Sequence, residues 1–116
     1  MFDFEKLEVY QICRQQNADV LKYIEAGNGI DRDLLALWKT NTLNIALNLV
    51  EGVGRIPKAD KKHYVTIARG YVFECVALLH ILADLNPQQA DAIGEFYNRY
   101  ESLSKMLLGM IRSFDN

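Results

Sequence analysis

The chain predicts an all-α fold, an antiparallel up-down-up-down four-helix bundle, and three observations carry that reading. Half of its 116 residues are apolar, so a packed core is expected rather than disorder. Only two prolines and seven glycines break the chain, too few for the many turns of an all-β protein. Apolar residues recur three and four apart over long stretches, the helical spacing rather than the alternation of strands. A length of 116 residues suits a single domain over residues 1–116, and no linker, internal repeat or low-complexity tract divides it.

The first helix is expected from Phe4 to Glu25, where Leu7, Tyr10, Cys13, Val20, Leu21 and Ile24 form an apolar stripe. Gly27-Asn28-Gly29 ends it, because these residues tolerate the left-handed conformation that closes helices. Asp31 is a candidate N-cap for the second helix, Asp31 to Glu51, whose apolar side carries Leu34, Leu35, Trp38, Ile45 and Leu49. Gly52 and Gly54 are expected to stop it, and Pro57 prevents easy continuation.

The third helix is expected from Ala59 to Leu85. Its segment from Tyr71 to Ala83 is apolar on almost every side and needs cover on more than one face. A second subunit supplies that cover, so the pattern points to self-association, with Val72 and Val76 expected to face the partner. Thirteen residues containing Glu74 and His80 are too short and too polar to span a bilayer. Asn86-Pro87-Gln88-Gln89 opens the fourth helix, with Asn86 as cap, Pro87 at the first helical position and Gln89 reaching back. This helix runs to Phe114, with Ile93, Phe96, Tyr100, Leu103 and Leu107 turned inward.

Net charge is −2, unlike a dedicated nucleic-acid binder. Arg55, Lys58, Lys61, Lys62 and Arg69 nevertheless fall within fifteen residues, opposed there only by Asp60. They are candidate phosphate contacts, with Tyr64 beside them for stacking, or else a solvated face. Asn41, Asn44, Asn48 and Glu51 are spaced three, four and three apart and line one side of the second helix. Such a stripe is a subunit contact or channel lining, or a solvated face with a capping network.

Glu74 lies in the apolar part of the third helix, with Gly70 one turn before it. A carboxylate there requires a partner, and Gly70 would admit a neighbouring helix. Gly52-Val53-Gly54-Arg55 follows a helix, not a strand, and lacks a following Gly-Lys-Ser/Thr, so it is no phosphate loop. His63 and His80 are seventeen apart without a Glu-x-x-His pattern, and Cys13 and Cys75 form no Cys-x-x-Cys. No metal, no cofactor and no catalytic constellation is expected. The opening MFDFEKLEVY has no signal-peptide pattern, and together with two unpaired cysteines it points to the cytoplasm and away from a membrane.

These residues resemble a family of bacterial four-helix-bundle proteins described from intervening sequences in large-subunit ribosomal RNA genes, to which accessory proteins of diversity-generating retroelements are related. Phe4, Leu7, Val9 and Tyr10 look like the family's opening pattern, and Asn48 to Arg55, NLVEGVGR, looks like its N-I-A-E-G-x-G-R signature. Ile67, Ala68, Gly70 and Glu74 resemble I-A-x-G-S-x-x-E-L, and Ser104 to Ile111 resembles the S-K-M-L-x-G-L-I close. Tyr71 replaces a serine, Cys75 a leucine, and Trp38-Lys39-Thr40 holds one cation where paired arginines are common. The resemblance implies a non-enzymatic homo-oligomeric scaffold or adaptor, a closed homopentameric ring, with RNA, DNA or a reverse transcriptase as partner. The alternative is a stand-alone RNA- or DNA-binding protein using the basic 55–69 segment.

Overall fold

Four long helices form in the computed structural model, which describes residues 1–115. They are α1 (Glu8–Ala26), α2 (Arg32–Val53), α3 (Lys58–Leu85) and α4 (Ala90–Ser113). Each packs on its neighbours in chain order, α1 on α2 and α4, and α3 on α2 and α4. Short connections force consecutive helices to run antiparallel. The long dimension of 45 Å matches the length of α3 at about 1.5 Å per residue.

Local chemistry explains most boundaries. Gly27, Asn28 and Gly29 all take positive φ, at 78°, 52° and 75°, which ends α1. The Asp31 carboxylate accepts hydrogen bonds from the Asp33 and Leu34 amides, at 2.9 and 3.0 Å, and caps α2.

Three boundaries differ from the sequence reading. The segment before α1 is a separate turn of 3-10 helix, Asp3–Lys6, and extended Leu7 separates it from α1. The Glu5 carboxylate reaches the Phe2 amide and holds that turn. Gly52 does not stop α2, since it lies inside the helix and is buried. A Cβ there would meet Val65 Cγ2 at 3.0 Å, the Lys61 carbonyl at 3.1 Å and Tyr64 Cβ at 3.1 Å, so the missing side chain admits α3. Asn86 caps the helix behind it: its backbone and side-chain N–H groups both donate to the Leu82 carbonyl at 2.9 Å. Gln89 does not reach back either, because its side-chain oxygen accepts from the Tyr23 hydroxyl at 2.6 Å and ties the 3-10 turn Pro87–Gln89 that precedes α4 to α1.

The core runs the length of the bundle, with Trp38, Ile45, Leu49, Val72, Leu82 and Leu107 fully buried. α3 is also the one described helix long and apolar enough, by length and composition, to cross a bilayer. Here its inward residues, from Val65 to Leu82, are core. Val72 is among them, so the expectation that it faces a second subunit is corrected: period 3.6 turns it toward α2 and α4, and Phe73 takes the outward direction.

Candidate interaction surfaces

Arg55, Lys58, Lys61 and Lys62 gather at the end of the bundle where α2 gives way to α3, Arg69 stands about three turns into α3, and several of them hold the fold. The Arg55 guanidinium pairs with the Glu51 carboxylate and donates to the Tyr64 hydroxyl at 3.1 Å, while its guanidinium carbon lies 4.7 Å from the Tyr64 ring centre. The hydrogen bond to Glu51 raises the Arg55 pKa further above its ordinary range. Lys61 donates to the Val53 carbonyl at 2.8 Å, satisfying an open carbonyl at the end of α2. Lys62 reaches Asp115 at 2.8 Å, and Arg69 donates to the Ser104 carbonyl at 3.3 Å and lies over the Phe73 ring. Lys58 is exposed on the first turn of α3. The segment is therefore a positively charged end whose guanidinium and ammonium groups double as caps and interhelical ties. Exposed pairs such as Lys62–Asp115 contribute at most about 1 kcal/mol and exchange readily for other anions.

The polar stripe on α2 divides along its length. Asn41 is buried, Asn44 and Asn48 are half-buried and Glu51 is exposed. Asn48 donates its amide to the Asn44 carbonyl at 2.9 Å. Asn48 precedes Gly52 by one turn, so the stripe follows the edge of the α2–α3 contact. The close helix approach foreseen at Gly70 occurs at Gly52 instead. Gly70 has no atom within 4 Å of where a Cβ would stand, and it is exposed. Glu74 is exposed as well, on the outer side of α3, so within this chain it has no need of a buried partner. The helical period carries Glu74 outward between the inward Val72 and Cys75.

Beside Gly70 and Glu74 the outer surface of α3 is apolar. Phe73 is 55% exposed and Ile81 47%, with Ala77 between them. Phe73 and Ala77 border an open groove of about 430 Å³ between α3 and α4, which Val76, His80 and Tyr97 also line. His80 stacks on Tyr97 with ring centres 5.9 Å apart and closes its upper end. A second groove of about 420 Å³ continues below, past Gly70, between Thr66 and Leu108. A second apolar ridge stands on α2, where Leu43 is 36% and Leu47 60% exposed.

Inside the bundle lies a polar cluster that the residue spacing did not reveal. The Tyr100 hydroxyl accepts from Trp38 Nε1 at 2.9 Å and shares a 2.8 Å hydrogen bond with Thr42, whose hydroxyl donates to Asn17 Oδ1 at 2.7 Å. Burial drives the Tyr100 pKa well above the ordinary tyrosine range. The Cys75 thiol lies beside the same hydroxyl, and burial pushes it and Cys13 up to about 12. Both thiols are therefore protonated and poor nucleophiles. A signal existed in the sequence: a buried tryptophan and a buried tyrosine each need a polar partner. Its identity required knowing which helices face each other. Gln16, next to this cluster, is buried with neither amide atom hydrogen-bonded within the described residues.

Among the described residues no three His, Cys, Asp or Glu side chains are grouped to hold a metal ion. No curated protein and no solved structure matches the chain. A family model described as the 23S rRNA-intervening sequence protein matches residues 5–109, a span that takes in the NLVEGVGR segment, the α3–α4 groove and most of α4. Matched over nearly its whole length, the chain belongs to the 23S rRNA-intervening sequence protein family.

Proposed function

We propose that this protein is a non-enzymatic, self-associating helical scaffold that acts as an adaptor. The observation that carries this reading is the apolar outer surface of α3, where Phe73 and Ile81 stand half exposed and Phe73 and Ala77 border an apolar groove. Contiguous exposed apolar surface on a small domain marks a binding site for another macromolecule. The resemblance of the sequence to ring-forming proteins supports a homopentamer. The cations from Arg55 to Lys62 then recur at one end of the assembly, where several copies together supply a field that one copy lacks. RNA, DNA or a nucleic-acid-handling protein such as a reverse transcriptase is the partner that suits such a rim.

Light scattering on a sizing column tests the scaffold. A mass near five times 13.3 kDa is expected, and a monomer overturns the reading. Fluorescence anisotropy with labelled RNA and DNA oligonucleotides tests the adaptor role. Binding is expected to weaken steeply with salt and to be lost in the triple variant Lys58→Glu, Lys61→Glu, Lys62→Glu. Absence of binding at low salt overturns the nucleic-acid part. Oligonucleotide binding by a monomer would favour the stand-alone alternative.

A further inference from the structure

We propose that self-association is heterologous: the α2 ridge at Leu43 and Leu47 of one copy seats in the α3–α4 groove of the next, with Leu47 entering the notch at Gly70. The proposal rests on the self-association reading and specifies its contact.

The two surfaces lie on different sides of the bundle. Gly52 marks the direction in which α2 meets α3. At about 100° per residue, Leu43 is turned half a revolution from Gly52, and Leu47 nearly as far. The ridge thus points away from α3, whereas the groove lies between α3 and α4. One copy cannot fill its own groove with its own ridge. Two surfaces on different sides that fit each other make a head-to-tail contact.

Height along the bundle also matches. Gly52 lies against Val65, and Thr42 and Cys75 both meet the Tyr100 hydroxyl. Because α2 and α3 are antiparallel, these two pairs set Leu47 level with Gly70 and Leu43 level with Glu74, next to Phe73. If the copies are related by rotation about an axis parallel to the bundle, height is preserved and each leucine of one copy arrives at the same level on the next. There Leu47, the most exposed side chain of the ridge, meets Gly70, the one glycine of α3, where open space stands in place of a Cβ. Knobs entering holes of this kind are how helices pack.

Charge agrees with the register. Glu51, one turn below Leu47, is level with Thr66, which lies between Lys62 and Arg69 on the lower groove. The exposed Glu51–Arg55 and Lys62–Asp115 pairs exchange for this contact, which sets a carboxylate between Lys62 and Arg69. These complementarities of shape, level and charge single out a second copy of this chain as the occupant.

Complementation between two variants tests the pairing. A ridge variant, Leu43→Glu with Leu47→Glu, keeps an intact groove, and a groove variant, Phe73→Glu with Ala77→Glu, keeps an intact ridge. All four positions are exposed, so each chain keeps its fold, checked by circular dichroism. Each alone is expected to fall to 13.3 kDa, and an equimolar mixture to rise to twice that mass. In parallel, Leu47→Cys with Gly70→Cys in one chain, oxidised with copper phenanthroline, is expected to give a ladder of covalent multimers. Either single-cysteine variant is expected to give none. Assembly by the wild type without a ladder, or retained by either glutamate variant, overturns the pairing and leaves self-association standing. A monomeric wild type overturns both.

Discussion

Replacing Tyr100 with phenylalanine removes one oxygen from the middle of the bundle and nothing else. That oxygen is the acceptor for Trp38 Nε1 and a partner of the Thr42 hydroxyl, and Tyr100 and Trp38 have no exposed surface. The consequences for the two partners differ. Thr42 keeps its hydrogen bond to Asn17, so its loss is small. The indole N–H is left buried without an acceptor, which costs about 1–3 kcal/mol. We expect a total loss of about 2 kcal/mol, which for a chain of this size lowers Tm by roughly 8 °C. Trp38 is the single tryptophan, so urea unfolding followed by its fluorescence reads the site directly. Protein concentration must be fixed, because assembly adds to apparent stability. The denaturant slope should not change, since no surface is added or removed. Thr42→Val closes a double-mutant cycle, and a coupling of about 0.5–3 kcal/mol with Tyr100→Phe is expected for groups in one network. A loss below about 0.5 kcal/mol, or a coupling near zero, would refute the claim that this hydroxyl organises the helix contacts.

Two further outcomes follow from the packing. Gly52→Ala gains helix propensity but drives a Cβ against Val65 and Tyr64, so a net destabilisation of about 1–2 kcal/mol is expected. Gly94→Ala, where nothing lies within 4 Å, should instead stabilise by up to about 1 kcal/mol in the same unfolding assay. The buried thiols set an alkaline dependence. Burial raises both Cys13 and Cys75 from 9.0 to about 12, so the folded chain binds more protons than the unfolded one above pH 9. Their contribution is fully present below pH 9 and declines as pH climbs from there toward about 12. Neither thiol should react with Ellman's reagent at pH 8 until urea unfolds the chain, and rapid reaction of the native protein would contradict their burial.

The helices and their turns were legible because their signals are local. Three consecutive residues with positive φ at Gly27 to Gly29, a capping carboxylate at Asp31 and a 3.6-residue apolar period act within a turn or two of their own position. The candidate sites were legible only as residue types. The cluster from Arg55 to Arg69 was visible as charge, but that Lys61 caps α2 and Arg69 bridges to α4 depends on partners 8 and 35 residues away. Val72 and Phe73 show the same limit. In a segment apolar on every side, periodicity cannot say which face is turned inward, and the other three helices decide it.

By itself, then, the amino-acid sequence determined an all-α chain of four helices, their order and their antiparallel course, since hydrophobic period and turn chemistry are encoded residue by residue. Tertiary structure alone decided that Gly52 rather than Gly70 is the site of close approach, that Tyr100 joins Trp38, Thr42 and Cys75, and that Phe73 and Ile81 stay uncovered. Each of these depends on the rotation and height of one helix against another, and that geometry is set by the sum of many contacts across the core.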